Sequence, residues 1–319
     1  MQNENKISFR ELSDLWIKKK EACTKESTYI HYYNLLKNHI DPKIGDVIVS
    51  ELTLLKLEET IIAFSKEGRL DNCGGLSQKT ISDIVIIIKA VLRYAEILGC
   101  NLSCNLSSLT VKQPCSELRV MSHKEQATVN HFLLSQDTYT TLGILIALYT
   151  GIRVGELCAL KIEDFDLEMQ KIIISKTMQR LQNKQPDGNT AKTHIAITTP
   201  KSKSSIREIP LPEFIVEKIM SFNSKKGTYL LTGATDRFIE PRTMENRFNK
   251  IMKALSIEKV TFHILRHTFA TRCVEVGVDV KTLSETLGHS NVNITLNRYV
   301  HSSFEMKQKS LQKLNYSAQ

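Results

Sequence analysis

Cationic and imidazole side chains gather at the breaks in the helical pattern of this 319-residue chain. Arg153 stands between Thr150-Gly151-Ile152 and Val154-Gly155-Glu156-Leu157. His263 and Arg266 are one helical turn apart and project from one face. His289 follows Gly288, and Tyr299 comes ten residues later. Two arginines, two imidazoles, a phenol and a lysine suit a reaction on a phosphodiester. Arginine forks bind the non-bridging oxygens and stabilise charge developing on phosphorus. A tyrosine acts as a covalent nucleophile when a neighbour helps remove its proton, and a lysine can protonate the departing oxygen. Taken singly, each residue has a blander reading. Tyr299 would be a packed aromatic, His289 a turn residue, and Arg153 a partner for Glu156 or Asp164. The combined spacing is what points to chemistry.

Other chemistries are poorly served. The P-loop, the GxGxxG dinucleotide turn, the GxSxG nucleophile elbow and HExxH do not occur in the chain. His263 and His267 have a spacing that could hold zinc, but Arg266 beside them opposes a cation. Seven cysteines without CxxC spacing read as free thiols rather than a disulfide framework. The longest apolar stretches, such as Ile84–Ile88 and Gly143–Tyr149, are too short to span a bilayer, and Met1–Arg10 has no signal-peptide core. The chain therefore reads as cytoplasmic, with no membrane partner.

The formal charge is +9, with 41% hydrophobic and 24% charged residues, an ordinary globular composition. Residues 1–110 carry 14 basic and 14 acidic side chains, so the whole excess lies in 111–319. Within it, 171–209 holds eight basic residues (Lys171, Lys176, Arg180, Lys184, Lys192, Lys201, Lys203 and Arg207) against Asp187 and Glu208. Such a local excess is the footprint of a polyanion partner, or else a solvated basic face.

The elements that must position these residues are mostly helical. Phe9, Leu12, Leu15 and Trp16 repeat at helical spacing. A second stripe runs through Tyr29, Tyr32, Tyr33, Leu36 and Ile40 and is expected to end at Asp41-Pro42. Ser77–Leu98 is the clearest helix, with Ser77 as N-cap and Gly99 as C-cap. Ser107–Glu117 is aperiodic and contains Pro114; a linker over 111–118 would separate domains 1–110 and 119–319. A helix through Leu142, Leu145, Ile146 and Tyr149 runs into Gly151. Lys171–Ser175, Thr193–Thr199 and Ile206–Leu211 read as one small antiparallel sheet, with turns at Lys184–Thr190 and Pro200–Ser205. Helical signals return from Arg242, broken at Gly277 and Gly288, with Asp279 as an N-cap.

Four segments closely resemble the tyrosine recombinase (phage integrase) family: Thr150–Leu160 (TGIRVGELCAL), Thr199–Leu211 (TPKSKSSIREIPL), His263–Thr271 (HILRHTFAT) and Leu287–Val300 (LGHSNVNITLNRYV). The resemblance implies a fold that is mainly α with a small antiparallel β-sheet, in two domains forming a C-shaped DNA clamp. A helical, SAM-like core-binding domain would be followed by an α+β catalytic domain. It further implies that Arg153 and Arg266 clamp the scissile phosphate, His263 assists as general base, His289 hydrogen-bonds the phosphate and Tyr299 forms a 3′-phosphotyrosyl link. Lys201, with Lys203 as rival, would be the general acid, and Glu156 would orient Arg153. Many relatives have Asp where this chain has Ile264. The long stretch between Lys176 and Thr199 resembles integrases of phages and conjugative transposons more than Xer-type resolvases.

The N-terminal half resembles the core-binding domain through Phe9–Lys20, Ser27–Leu36 and Ile40–Gly45, and no arm-binding domain is expected ahead of it. The tail His301–Gln319 would pack on a neighbouring subunit, or in cis. The implied activity is site-specific integration or excision of a mobile element by a homotetramer on double-stranded DNA. It would need no cofactor, neither ATP nor metal, with an excision factor or a host DNA-bending protein as candidate accessories. Xer-type dimer resolution, type IB topoisomerase-like relaxation and a catalytically silent DNA-binding regulator are the alternatives.

Overall fold

The computed structural model describes residues 7–103, 105–111, 118–183, 191–199 and 205–299. Lys201, Lys203, residues 112–117 of the expected linker and the tail His301–Gln319 lie outside the described residues. The chain divides into two compact units, Met1–Ser116 with Leu181–Lys192 and Glu117–Arg180 with Thr193–Gln319.

The first unit is helical. Helix α1 (Phe9–Cys23) opens with a capping box between Ser8 and Glu11 and buries Phe9, Leu12, Trp16 and Ile17. Leu15 belongs to the same apolar run but falls outside that arc and is 49% exposed. Helix α2 (Glu26–Leu35) does not stop before Pro42. A π-helical turn at Leu36–Ile40 carries it into α3 (Asp41–Ile44). There the Asp41 N–H donates to the Leu36 carbonyl, and this wider turn takes up the register change that proline would otherwise force. Helix α4 (Leu54–Glu67) is capped by Thr53, and α5 (Gln78–Ile97) by Ser77. The periodic positions of α5, from Ile81 to Ala95, are buried as their spacing requires, and Gly99 follows with φ +83°. Leu109, within the aperiodic Ser107–Glu117 stretch, is also buried in this core.

In the second unit α6 (His123–Ser135), α7 (Tyr139–Thr150) and α8 (Val154–Ala159) lead into the strands β1 (Phe165–Asp166), β2 (Lys171–Ile174), β3 (Thr177–Gln182), β4 (Thr193–Thr198) and β5 (Arg207–Pro210). Then come α9 (Glu213–Ser221), α10 (Pro241–Ala254), α11 (Ile264–Glu275), α12 (Val280–Leu287) and α13 (Val292–Tyr299). Among the described residues the strands make two sheets rather than one. Antiparallel β1-β2-β5 sets Ile172 against Ile209 and Ile174 against Arg207, and β3 pairs with β4. Strand β3 escapes a pattern reading because its buried residues, Met178 and Leu181, are three apart instead of two. Helix α7 is apolar nearly all round and lies in the main core. A smaller cluster of Ala270, Leu283, Leu287 and Tyr299 joins α11, α12 and α13.

Two left-handed glycines end the helices that lead into the candidate site: Gly151 (φ +65°) after α7 and Gly288 (φ +64°) after α12. A Cβ on Gly151 would lie 2.6 Å from Phe269 and 2.8 Å from Leu287. Gly151→Ala therefore combines backbone strain with overpacking. It is expected to lower stability by about 1–3 kcal/mol, read as a shifted urea midpoint at unchanged slope.

Candidate active site

All the described members of the chemical set lie in the second unit, at helix ends. Arg153 sits at the N-cap of α8, two residues after Gly151, and its side chain is 38% exposed. Its Nη1 donates to Glu156 Oε1 at 2.8 Å, and its backbone N–H donates to Oε2 at 2.9 Å. Glu156 is buried, as an orienting carboxylate would be, and it is also gripped by Arg207 through Nη1 (3.2 Å) and Nη2 (3.0 Å). Burial opposes the charge on Glu156, but Arg207 and then Arg153 hold its pKa below the usual carboxylate value.

His263 caps α11 and Arg266 follows in its first turn. Arg266 is 2% exposed, yet its Nη1 donates to the Gly151 carbonyl at 2.8 Å and its Nη2 to the Leu287 carbonyl at 2.7 Å. It thereby ties together the two loops that carry Arg153 and His289. His289 Nδ1 bonds Thr295 Oγ1 at 2.8 Å, which fixes the ring parallel to that of Tyr299.

Tyr299 is 7% exposed, so its hydroxyl is not at the surface. Its imidazole partner among the described residues is His267, with Nδ1 2.8 Å from the phenol oxygen. His263 stands edge-on behind His267, with ring centroids 4.6 Å apart. Sequence reasoning weighed His267 only as a zinc partner of His263. Its place next to Arg266 puts it on the adjacent side of the same turn, and that signal was available. Arg207 was counted merely as one charge in a basic run.

The site is crowded with positive charge. Burial, then Arg153, pull Arg266 down to about 9, so it stays protonated at neutral pH. Burial is also the leading cause that brings His263, His267 and His289 to about 4, with Arg266, His263 and Arg266 respectively adding most after it. The Tyr299 phenol is raised by burial, against the pull of Arg266, Arg298 and Arg153. These are the electrostatics of a crowded cationic cluster that an anion would relieve.

Much of the basic run in 171–209, by contrast, is neutralised internally. Lys171 pairs with Glu208 at 3.0 Å, Lys176 with Asp164 at 3.2 Å, Arg207 with Glu156 at 3.0 Å, and Arg180 with Glu240. Lys192 is exposed, and Lys184, Lys201 and Lys203 lie outside the described residues. The footprint of an anionic partner is thus carried by the arginine cluster at the helix ends more than by the run as counted.

Residues 119–306 match the model of the phage integrase family, and residues 8–62 match that of the phage integrase N-terminal SAM-like domain. A tyrosine recombinase XerC-like protein of Caldanaerobacter subterraneus subsp. tengcongensis is 25% identical over 91% of this chain and 78% of its own length. The transposase from transposon Tn916 of Enterococcus faecalis is 26% identical over 63% of this chain, which spans about half (52%) of that protein. The solved Tn1549 transposon integrase in complex with transposon right end DNA superposes with a TM-score of 0.78 at 23% identity, covering 97% of this chain and 100% of that one. A lambda integrase tetramer bound to a Holliday junction gives 0.66 at 16% identity, over 94% and 80% of the two chains. Among the described residues no helix is long and apolar enough to cross a membrane.

The three depressed imidazoles fix a pH dependence. The unfolded chain protonates histidine near 6.5, whereas the folded site resists until about 4. Between those values the unfolded state binds more protons, so stability falls as pH drops through that window and is fully present above it. Thermal denaturation from pH 7 to 4 should show this slope, and His267→Gln with His289→Gln should flatten it.

Proposed function

The chain belongs to the phage integrase family and is a tyrosine-type site-specific DNA recombinase, and from that premise we propose that Tyr299 cuts and rejoins DNA strands to integrate or excise a mobile element. The observation that carries the reading is the convergence of Arg153, Arg266, His289 and Tyr299 on one cationic site built from four helix ends. Arg153 and Arg266 hold the non-bridging oxygens of the scissile phosphate, and His289, its Nδ1 fixed on Thr295, turns Nε2 toward the same group. The phenol oxygen attacks phosphorus as its proton passes to an imidazole. The bond to the 5′-oxygen breaks, and that oxygen takes a proton from Lys201, or its neighbour Lys203. The 3′-phosphotyrosyl bond conserves the energy for religation, so the reaction as proposed consumes no cofactor.

The hydrogen bond to Tyr299 favours His267 over His263 as the proton acceptor, with His263 behind it near the phosphate. An approaching phosphodiester raises the imidazole pKa by its charge, making the acceptor a better base as substrate binds.

In this reading 1–110 is the core-binding domain, 111–118 the linker and 119–319 the catalytic domain. Four protomers assemble on two duplexes in the cytoplasm, with an excision factor or DNA-bending protein as accessory. The Tn916 and Tn1549 proteins support the mobile-element role. The XerC-like relative favours dimer resolution as a second reading. Recombination confined to the ends of the chain's own flanking element would separate the first from the second.

A nicked suicide duplex should trap a covalent protein–DNA adduct. Tyr299→Phe should form none, and an adduct from that variant would overturn the assignment. Arg153→Ala should slow cleavage by about 10²- to 10³-fold. His267→Gln should cost about 10²-fold at neutral pH and leave a rate that climbs steadily with pH, as an unassisted phenol would, while His263→Gln keeps the profile of the unaltered protein.

A further inference from the structure

Arg207 is not among the six residues that the chemistry singles out, yet it reaches three separate segments of the site. Its side chain is 5% exposed. Nη1 and Nη2 fork onto the two oxygens of Glu156 at 3.2 and 3.0 Å. Nε donates to the Thr286 carbonyl at 2.6 Å, and Nη1 also donates to the Ser205 carbonyl at 3.1 Å. Thr286 lies in the last turn of α12, three residues before His289, and Ser205 follows Lys201 by four positions in the chain.

The consequence runs through Glu156. Its Oε1 accepts from both Arg153 and Arg207, so one buried carboxylate is shared by a half-exposed and a buried guanidinium. A buried ion pair stripped of one partner leaves an uncompensated charge. With Arg207 gone, the Glu156 carboxylate would be neutralised by a proton or by drawing Arg153 inward, and in either case Arg153 loses the aim it has toward a phosphate. With Arg207 present, its charge is met from the inner side, and Arg153 is aimed without being captured.

We propose that Arg207 is a positioning residue for DNA cleavage: it holds Glu156 so that Arg153 stays available to the scissile phosphate, and it anchors the end of α12 from which His289 projects. This rests on the recombinase reading above. It makes the strand β5 arginine a part of the phosphate site rather than a contact for the DNA backbone.

The test is single-turnover cleavage of a nicked duplex carrying either an ordinary phosphodiester or a neutral methylphosphonate at the scissile position. A methylphosphonate has one charged oxygen fewer and makes less demand on Arg153. Arg207→Gln should slow phosphodiester cleavage by about 10- to 100-fold, the scale of a displaced catalytic group. It should slow methylphosphonate cleavage much less, matching the pattern of Arg153→Ala. Arg207→Lys should fall between Arg207→Gln and the unaltered protein. Adding Glu156→Gln to Arg207→Gln should restore part of the lost rate, because Arg153 is then no longer drawn in. Both rates are read on one preparation, so their ratio is unaffected by a misfolded fraction. Equal penalties on the two substrates, or a further loss in the double variant, would overturn the role of Arg207. Absence of an adduct from the unaltered protein would instead overturn the recombinase reading.

Discussion

The second unit depends on one buried guanidinium. Arg266 donates to the Gly151 and Leu287 carbonyls, which lie at the C-terminal ends of α7 and α12. Those ends carry unsatisfied carbonyls and the negative pole of each helix, so a cation placed between them satisfies both at once. Each helix then turns through a left-handed glycine and, within two residues, delivers a functional side chain, Arg153 from one and His289 from the other. A guanidinium has five N–H donors in a rigid plane. Fixing two of them on backbone sets the direction of the rest, so one residue organises the fold of the candidate site.

Such an arrangement is costly without an anion. Arg153, Arg207 and Arg266 surround a single carboxylate, Glu156, and all three imidazoles are driven neutral by burial among these cations. A native core normally pairs its charges. The positive surplus here is instead held in place by backbone carbonyls, which fix cations without neutralising them. In the proposed mechanism a phosphodiester supplies the missing charge; burial raises the Tyr299 pKa, and the same cations pull against that rise.

The grouping of Arg153, His263, Arg266, His289 and Tyr299 was legible in the sequence because these residues lie in local turns at fixed spacing, and local turns leave sequence patterns. The capped helices were legible for the same reason: Ser77 before α5 and Asp279 before α12 announce themselves by residue type. Arg207 and His267 were not, because what distinguishes them is a partner 51 or 32 positions away. Nothing near Arg207 in the chain indicates that its charge is consumed by Glu156, so a count of basic residues assigned it to solvent and DNA. The π-helical turn before Pro42 and the irregular strand β3 fail a periodicity test for a related reason. Tertiary packing there overrides the ideal period.

Tyr299 stands apart from the rigid part of the site. Among the described residues it belongs to the smaller cluster with Ala270, Leu283 and Leu287, against which Phe269, Val274 and Val278 are partly buried. Arg153 and Arg266, by contrast, hang from α7, α8 and α11, which carry Leu145, Leu157 and Leu265 into the large core. Elements with few buried contacts open at lower free energy than the core they adjoin. Among the described residues, Arg153 and Arg266 are thus carried by elements of the large core and Tyr299 by the smaller cluster. In the mechanism proposed above, Tyr299 bonds to phosphorus and later releases it and so has to move, whereas the groups proposed to recognise the phosphate must not. The bond from Tyr299 to His267 is compatible with both requirements: it keeps the phenol buried and protonated, and a single proton transfer removes it.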